Sequence, residues 1–139
     1  MPFSIAVNFP GNCREAVTFY ANVFDQAAPY FLTYGAGDAS FDPNVKISEK
    51  GKDLIMYTSL DIAGTTVEFN DMPENMAFVR GNSIFLTVTY PDLATAQQIF
   101  DRLSEQGQIA VPLTAIPQQG YYGMVNDQFD LGWIVKVAA

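Results

Sequence analysis

The sequence predicts an α+β fold in which one domain of 139 residues contains two βαβββ modules, at residues 1–80 and 81–139. Each half opens with an alternating apolar strand that ends at a proline, continues into an amphipathic helix and closes with three more strands. A constant separation of 81 residues relates four pairs of positions: Val7 and Val88, Phe9 and Tyr90, Pro10 and Pro91, and Phe19 and Phe100. With 49% hydrophobic residues, a chain of this length can fill one core of ordinary size.

The first module begins with a strand over residues 3–9, and Asn12 is expected to cap the following helix in a capping box with Glu15. An apolar stripe at helical spacing faces the sheet and consists of Ala16, Tyr20, Val23 and Phe24. Three further strands are predicted over residues 30–34, 54–62 and 65–71, the last two joined by the Ala63-Gly64 turn. Residues 35–53 form a long loop of Gly and short polar residues, which predicts few buried contacts and a lid.

The second module repeats this order, with a strand over residues 83–90 and a helix that Asp92 caps and Gly107 ends. The apolar stripe of this helix consists of Leu93, Ala96, Ile99, Phe100 and Leu103. The remaining strands are predicted over residues 109–116, 121–127 and 131–137. In both modules the helix covers one face of a sheet, so the other face presents its side chains to whatever lies opposite.

The chain contains no histidine, which removes the commonest general base and the commonest ligand of transition metals. Catalytic triads and zinc or iron sites that need histidine cannot be built from this chain alone. The chemistry that remains belongs to carboxylates, tyrosines, backbone groups and cavities. We therefore expect neither a tight transition-metal site nor a cofactor.

The formal charge of −8 argues against binding to nucleic acid, because such binding depends on clustered Lys and Arg. No segment approaches the roughly 20 apolar residues that a membrane span requires. The single cysteine, Cys13, allows no internal disulfide, and the first residues lack the features of a secretory signal. These observations predict a cytoplasmic protein with neither a nucleic-acid partner nor a membrane partner.

Strand alternation separates an apolar wall from a wall that mixes polar and aromatic side chains. The candidate ligand-binding residues are Asn8, Tyr57, Ser59, Phe85, Thr87, Tyr122 and Trp133. A concave mixed wall suits a small-molecule site. The alternatives are a half-exposed sheet whose polar face meets solvent, and aromatic side chains that belong to the core.

Two residues are candidates for catalysis. Glu68, if buried against Phe85 and Tyr57, would have a raised pKa and would remove a proton beside a carbonyl. Tyr57 or Asn8 would then stabilise the developing oxyanion. An exposed Glu at the edge of a hairpin is the plainer interpretation. Cys13 stands at the first position of a helix, where a lowered thiol pKa is expected, but a small packing residue is again the plainer interpretation.

Three stretches of the chain resemble a known family. They are residues 9–16, with Phe19-Tyr20 and Phe24 following; residues 62–73, with Ile62-Ala63-Gly64 and Asn70-Asp71-Met72-Pro73; and residues 126–135, with Asn126-Asp127-Gln128-Phe129 and Trp133-Ile134-Val135. In order and spacing they are similar to the PhnB-like branch of the vicinal oxygen chelate superfamily, which includes glyoxalase, bleomycin-resistance and dioxygenase folds. The resemblance covers nearly the whole chain. It implies paired βαβββ modules whose mixed sheets curl around a cavity, and a homodimer.

Metal-dependent relatives hold an ion with His and Glu side chains on the cavity strands, and this chain departs from that pattern. Tyr57 stands where PhnB-like sequences commonly have His, and Ile134 stands where metal-dependent relatives have a ligand Glu. Asp130 replaces the glycine of a turn in which glycine's backbone freedom is expected. The departures imply a metal-independent protein. The alternative is a site of oxygen ligands for Mg²⁺ or Ca²⁺, built from Glu68, Asn8 or Asp61.

Three hypotheses of function follow. The first is a metal-independent dimer that binds a small molecule, and the acidic balance weakly favours a cationic one. The second is an isomerase or lyase in which Glu68 is the general base. The third is a structural or interaction module whose cavity is filled by its own side chains. Some PhnB-like proteins carry the label of a ubiquinone-pathway methyltransferase, but no glycine-rich S-adenosylmethionine loop follows the first strand here.

Overall fold

The computed structural model describes residues 2–37 and 47–139. The chain divides into two compact units, with the boundary in the sequence between Val79 and Arg80. The first unit contains β1 (Ile5–Phe9), α1 (Cys13–Val23), β2 (Leu32–Thr33), the short helix α2 (Tyr34–Gly37), a single 3₁₀ turn (Gly51–Asp53), β3 (Ile55–Ile62) and β4 (Thr65–Asp71). The second contains β5 (Leu86–Tyr90), α3 (Leu93–Ser104), β6 (Gln108–Ile116), β7 (Gly120–Asn126) and β8 (Gly132–Val137). The predicted α+β class and the βαβββ order of each half are confirmed.

Each unit has one four-stranded mixed sheet, with the order β1-β4-β3-β2 in the first and β5-β8-β7-β6 in the second. In each sheet the strand that leads into the helix pairs in parallel with the last strand, and the other pairs are antiparallel. Val7 pairs with Phe69, and Val88 pairs with Val135. Val7 and Val88, and likewise Phe9 and Tyr90, therefore occupy equivalent places in their own sheets. The predicted match of Phe19 with Phe100 is wrong, because Phe19 is half-buried whereas Phe100 in α3 is buried. That the two sheets enclose a cavity stays a prediction.

Helix α1 covers one face of the first sheet and packs on β3 and β4. All four residues of its predicted stripe are buried. The ring of Tyr20 stacks on that of Phe69 with 5.8 Å between centroids, and Phe9 lies 6.4 Å from Tyr20. Burial of each such ring contributes roughly 2–3 kcal/mol before conformational entropy is counted, so the aromatic cluster anchors the helix to the sheet.

Helix α3 covers the second sheet and contacts all four of its strands. Four residues of its predicted stripe are buried: Ala96, Ile99, Phe100 and Leu103. Leu93 is 38% exposed and does not join them, because burial on this helix begins only at its second turn. The helix ends at Ser104, and Gln106 rather than Gly107 takes the left-handed backbone, with φ of 58°.

The structure shortens several predicted strands, and part of the predicted lid stays untested. The first strand of each unit begins later than predicted, at Ile5 and at Leu86. Residues 30–34 form a strand only at Leu32–Thr33, because the pairing with β3 shifts register there and Tyr34 begins α2. Of the predicted lid, residues 38–46 lie outside the described residues. Within the described ranges, 2–37 and 47–139, no helix is long and apolar enough to cross a membrane.

Candidate functional site

The face of the first sheet that α1 does not cover brings together four predicted site residues. Glu68 in β4 pairs with Ser59 in β3 on one side and with Ala6 in β1 on the other. Asn8 pairs with Asn70 one row further along, and Tyr57 stands on the same face as Ser59 because the two are two residues apart in one strand. We call this surface the open face of the first sheet; it comprises Asn8, Tyr57, Ser59, Glu68 and Asn70.

Polar atoms of several kinds lie on this open face. The Glu68 side chain is half-buried, and the Ser4 hydroxyl donates to its Oε2 at 3.1 Å. The Asn70 amide donates to the backbone oxygen of Asp71 at 3.0 Å, and Tyr57 is 44% exposed. A carboxylate, two amides, a hydroxyl and a phenol can together donate to and accept from a small ligand. The predicted contact of Glu68 with Phe85 would join the two units and stays a prediction.

The uncovered face of the second sheet carries Thr87 and Tyr122 from the predicted set. Thr87 pairs with Ile134, and Tyr122 pairs with Lys136. Met124 also pairs with Ile134 and so lies in the same row as Thr87. Ile134 thus occupies the uncovered face, as a ligand position would, but its side chain offers no atom that can bind a metal or a proton. This face is more apolar than that of the first sheet and carries a lysine instead of a carboxylate.

Trp133 lies on the opposite face of the second sheet, where α3 covers it, and is fully buried. Its indole N–H donates to Asp127 Oδ2 at 2.8 Å. Asp127 Oδ1 accepts from the backbone N–H groups of Phe129 at 2.8 Å and Leu131 at 3.1 Å. Trp133 therefore does not lie on the same face as Thr87 and Tyr122. Its hydrogen bond to Asp127 connects the β7–β8 turn to the core.

Two positions in or near that turn are constrained, one by the space beside it and one by its backbone angle. Phe85, from the predicted set, lies against Gly132, where an added Cβ would come within 2.7 Å of its ring. Asp130 has φ of 64°, so the turn keeps a left-handed backbone although it lacks glycine there. The Asp130 N–H donates to the carbonyl of Asp127 at 3.0 Å. The turn geometry expected from glycine is thus retained with an aspartate.

A buried carboxylate that the sequence analysis missed lies where α1 begins. Asp71 ends β4 and is 1% exposed. Its Oδ1 accepts from the N–H groups of Gly11 at 3.1 Å and Cys13 at 2.9 Å, and its Oδ2 accepts from the N–H of Ile55 at 2.8 Å. The predicted capping box is wrong, because Asn12 makes no capping hydrogen bond and β4 supplies the acceptor instead. The signal that could have found it is an aspartate ending a strand within one of the stretches that carry the resemblance.

Burial raises the pKa values of three groups near the start of α1: Asp71, Cys13 and Tyr34. Desolvation raises the pKa of Asp71, although the three N–H donors and Arg14 act in the opposite direction. Burial and the charge of Asp71 raise the pKa of the Cys13 thiol, so the predicted lowering is wrong. The Tyr34 hydroxyl donates to the Asp71 carbonyl at 2.9 Å, and burial raises the pKa of Tyr34 to about 12. The fully buried Cys13 is a packing residue rather than a reactive thiol.

Acidic side chains are among the groups that could hold a metal ion in a chain without histidine. In the part of the chain that the structure describes, no three His, Cys, Asp or Glu side chains gather closely enough to share an ion. Asp61 lies on the same side of the first sheet as Glu68 and one row away, since Glu68 pairs with Ser59 and Asp61 pairs with Thr66. An oxygen-ligand site for Mg²⁺ or Ca²⁺ at these residues stays a prediction.

Comparison with known proteins gives a family match over almost the whole chain. The family model described as 3-demethylubiquinone-9 3-methyltransferase matches residues 2–136. Protein YjdN of Escherichia coli (strain K12) is 24% identical over 142 residues, which cover 99% of this chain and 95% of YjdN.

Solved structures agree on the fold. Protein PA1353 from Pseudomonas aeruginosa has a TM-score of 0.83 at 23% identity, covering 99% of this chain and 98% of that one. A putative 3-demethylubiquinone-9 3-methyltransferase, the PhnB protein from Bacillus cereus, has a TM-score of 0.74 at 21% identity, covering 99% and 100%. A glyoxylase/bleomycin resistance protein/dioxygenase domain from Frankia sp. EAN1pec has a TM-score of 0.61 at 10% identity, covering 100% and 92%. The glyoxalase/bleomycin-resistance fold that the resemblance implied is confirmed.

Proposed function

This chain belongs to the 3-demethylubiquinone-9 3-methyltransferase family, which includes PhnB-like proteins, and from the chain's own residues we propose that it binds a small organic molecule without a metal. The binding surface is the open face of the first sheet. The observation that carries the proposal is that Asn8, Ser59 and Glu68 occupy one face while α1 seals the reverse face. Hydrogen-bonding groups on a rigid sheet are positioned before the ligand arrives, which lowers the entropic cost of binding.

The activity in the family's description would require S-adenosylmethionine, and the strand-to-helix turns do not fit it. Nucleotide-type cofactors commonly lie at a glycine-rich turn whose amides face the ligand. After β1, the amides of Gly11 and Cys13 already donate to Asp71. After β5, the amide of Thr95 donates to Asp92. The proposal is therefore binding rather than methyl transfer.

The test is a thermal-shift screen of the purified protein against aromatic amines, keto acids, acyl thioesters, dyes and antibiotics. We expect at least one class to raise the unfolding temperature, and Glu68→Gln and Asn8→Ala to reduce that rise. Glu15→Gln is the matched control, because Glu15 is an exposed carboxylate on α1. A screen without any shift, or a shift that survives both open-face substitutions, would refute the assignment and favour a structural or interaction module.

A second candidate is an isomerase or lyase in which Glu68 removes a proton and Tyr57 stabilises the oxyanion. It is favoured by the hydrogen bond from Ser4 to Glu68 Oε2, which orients the carboxylate within the face. The expected activity is exchange of deuterium from D₂O into the carbon next to a carbonyl. Exchange that persists in Glu68→Gln would remove Glu68 from the mechanism.

We further propose that the protein is a cytoplasmic homodimer. Several large apolar side chains among the described residues are strongly exposed, which favours contact with a partner; Phe3, Val79 and Ile84 are examples. Sedimentation equilibrium is expected to give twice the mass of 15.3 kDa. A mass of one chain at micromolar concentration would contradict it.

A further inference from the structure

The first unit contains a cleft that the proposed open-face function does not use. It lies between the turn that precedes β3 and the segment that follows β4, and its volume is about 470 Å³. Small-molecule sites commonly occupy roughly 300–1,000 Å³, so the cleft is large enough for a compact organic ligand. Its apolar lining includes Leu54, Met72, Met76 and Phe78.

The cleft is also lined by Glu74, an exposed carboxylate that accepts two hydrogen bonds from Ser48. Glu74 Oε1 accepts from the Ser48 N–H at 2.7 Å, and Glu74 Oε2 accepts from the Ser48 hydroxyl at 2.6 Å. Gly51 donates its N–H to the Ser48 hydroxyl at 3.0 Å, and an added Cβ on Gly51 would come within 2.5 Å of Glu74 Oε1. Glycine thus lets the turn close on the carboxylate. The hydrogen bonds from Ser48 lower the pKa of Glu74, so it is anionic at neutral pH.

The remaining cleft chemistry favours a cation with an apolar body. A carboxylate offers about four lone-pair sites, so Glu74 can accept from a ligand as well as from Ser48. Met72 and Met76 are unbranched and polarisable, and they adapt to aromatic or aliphatic groups. Lys50 also lines the cleft, and both Lys50 and Glu74 are exposed. The long Lys50 side chain can turn into water, whereas the Glu74 carboxylate is hydrogen-bonded to Ser48. The net charge of −8 attracts cations to the whole chain.

We propose that this cleft binds a small organic cation, in which a primary ammonium group donates to Glu74 and an aromatic or aliphatic body lies against Met72, Met76 and Phe78.

Two probes with the same indole body and opposite charges test the proposal by titration calorimetry: tryptamine and indole-3-propionate. Tryptamine is expected to bind with one molecule per chain, and indole-3-propionate about tenfold more weakly or not at all. Glu74→Gln removes the charge but keeps groups that can pair with Ser48, so the fold should persist while tryptamine binding weakens about tenfold. Lys50→Gln leaves the Ser48 contacts unchanged and should tighten tryptamine binding about twofold.

Glu15→Gln is the matched control, because it removes the same charge from the exposed surface of α1 and should leave tryptamine affinity within about twofold. Tighter binding of indole-3-propionate, unchanged affinity in Glu74→Gln, or no binding of tryptamine would overturn the proposal. Glu68→Gln separates it from the proposed function: tryptamine affinity should not change there. Loss of tryptamine binding in Glu68→Gln alone would place the cation on the open face and refute the cleft.

Discussion

The helices of the two units begin in different ways, although the sheets beneath them have the same strand order. In the second unit the cap is local, since the Asp92 side chain accepts from the Thr95 N–H at 2.8 Å. In the first unit the cap comes from β4, where Asp71 accepts from the amides at the start of α1. Asp71 pairs with Phe9, and the equivalent position in the second sheet, opposite Tyr90, is the apolar Val137.

The comparison separates what the repeat keeps from what it does not. Strand order, parallel pairing and helix position recur, because they follow from apolar periodicity and the backbone hydrogen bonds of a sheet. The side-chain cap of the helix does not recur. The three N–H bonds to Asp71 join the start of α1, the start of β3 and the end of β4, so capping in the first unit depends on the folded sheet. Capping in the second unit requires only four consecutive residues.

Asp71→Ala is expected to have the largest effect on this comparison. The substitution leaves three backbone N–H groups without their acceptor, which should lower the free energy of unfolding by roughly 3 kcal/mol or more. Urea unfolding followed by circular dichroism measures the loss. Val137→Ala is the control at the equivalent position and should cost roughly 1–2 kcal/mol. Equal losses at the two positions would show that the long-range cap contributes nothing beyond packing.

Trp133→Phe tests the polar tie of the second unit. It removes the indole donor from Asp127 Oδ2 and should lower the free energy of unfolding by roughly 2 kcal/mol. The equivalent position in the first sheet is Val67, whose side chain has no donor. Val67 pairs with Ile5 and Leu60, and Trp133 pairs with Leu86 and Val125. Circular dichroism must report unfolding, because the chain has one tryptophan. A loss under about 0.5 kcal/mol would exclude an energetic role for this hydrogen bond.

The two capping carboxylates should respond to pH in opposite senses. The pKa of Asp71 is raised in the folded protein, so its ionisation-linked stability is fully present below the ordinary pKa of about 3.9 and is lost as pH rises through the folded pKa. The pKa of Asp92 is lowered by its bonds to Thr95, so its contribution is present above about pH 3.9 and is lost on further acidification.

Urea midpoints between about pH 3 and pH 7 for the parent, Asp71→Asn and Asp92→Ala measure this difference. As pH falls, the stability of the parent should increase relative to that of Asp71→Asn. The stability that the parent has over Asp92→Ala should decrease as pH falls. Parallel pH profiles for the two stability differences would contradict the assignment of opposite pKa shifts.

Asp130→Gly should have the smallest effect, a gain of about 0.5–1 kcal/mol, because a side chain at φ of 64° is strained and glycine is not. Asp25→Gly, at φ of 54° in the first unit, should give a gain of similar size. Thermal unfolding of both variants measures the gains. A loss at position 130 would mean that the aspartate side chain stabilises the turn in a way that glycine cannot replace.

Much of the fold could be predicted from the sequence, because it depends on local patterns. The stripe of α1, the cap at Asp92 and the alternation that puts Asn8, Ser59 and Glu68 on one face all follow from helical or strand periodicity. The placement of Trp133 could not be predicted in this way. The sequence analysis names Trp133 as a candidate ligand-binding residue, whereas the structure buries it under α3. Strand alternation shows which side chains share a face, but it does not show which face the helix covers.

The candidate sites depend more on contacts between distant segments. Sequence reasoning assigned the cap of α1 to Asn12, since a local acceptor is the usual solution, and it missed Asp71 because the acceptor lies about 60 residues away in the chain. The cleft was missed for the same reason. Glu74 and Ser48 meet only when the turn before β3 lies against the segment after β4.

By itself the sequence determined the α+β class, the two βαβββ modules, the family and the absence of histidine chemistry, because composition and apolar periodicity are properties of each segment. Only the tertiary structure decided which carboxylates matter. It buried Asp71 under α1, fixed Glu74 beside Ser48 and set Glu68 on an open face. The physical reason is that the ionisation and hydrogen bonding of a carboxylate depend on the donors and solvent that the fold brings to it, and these come from other parts of the chain.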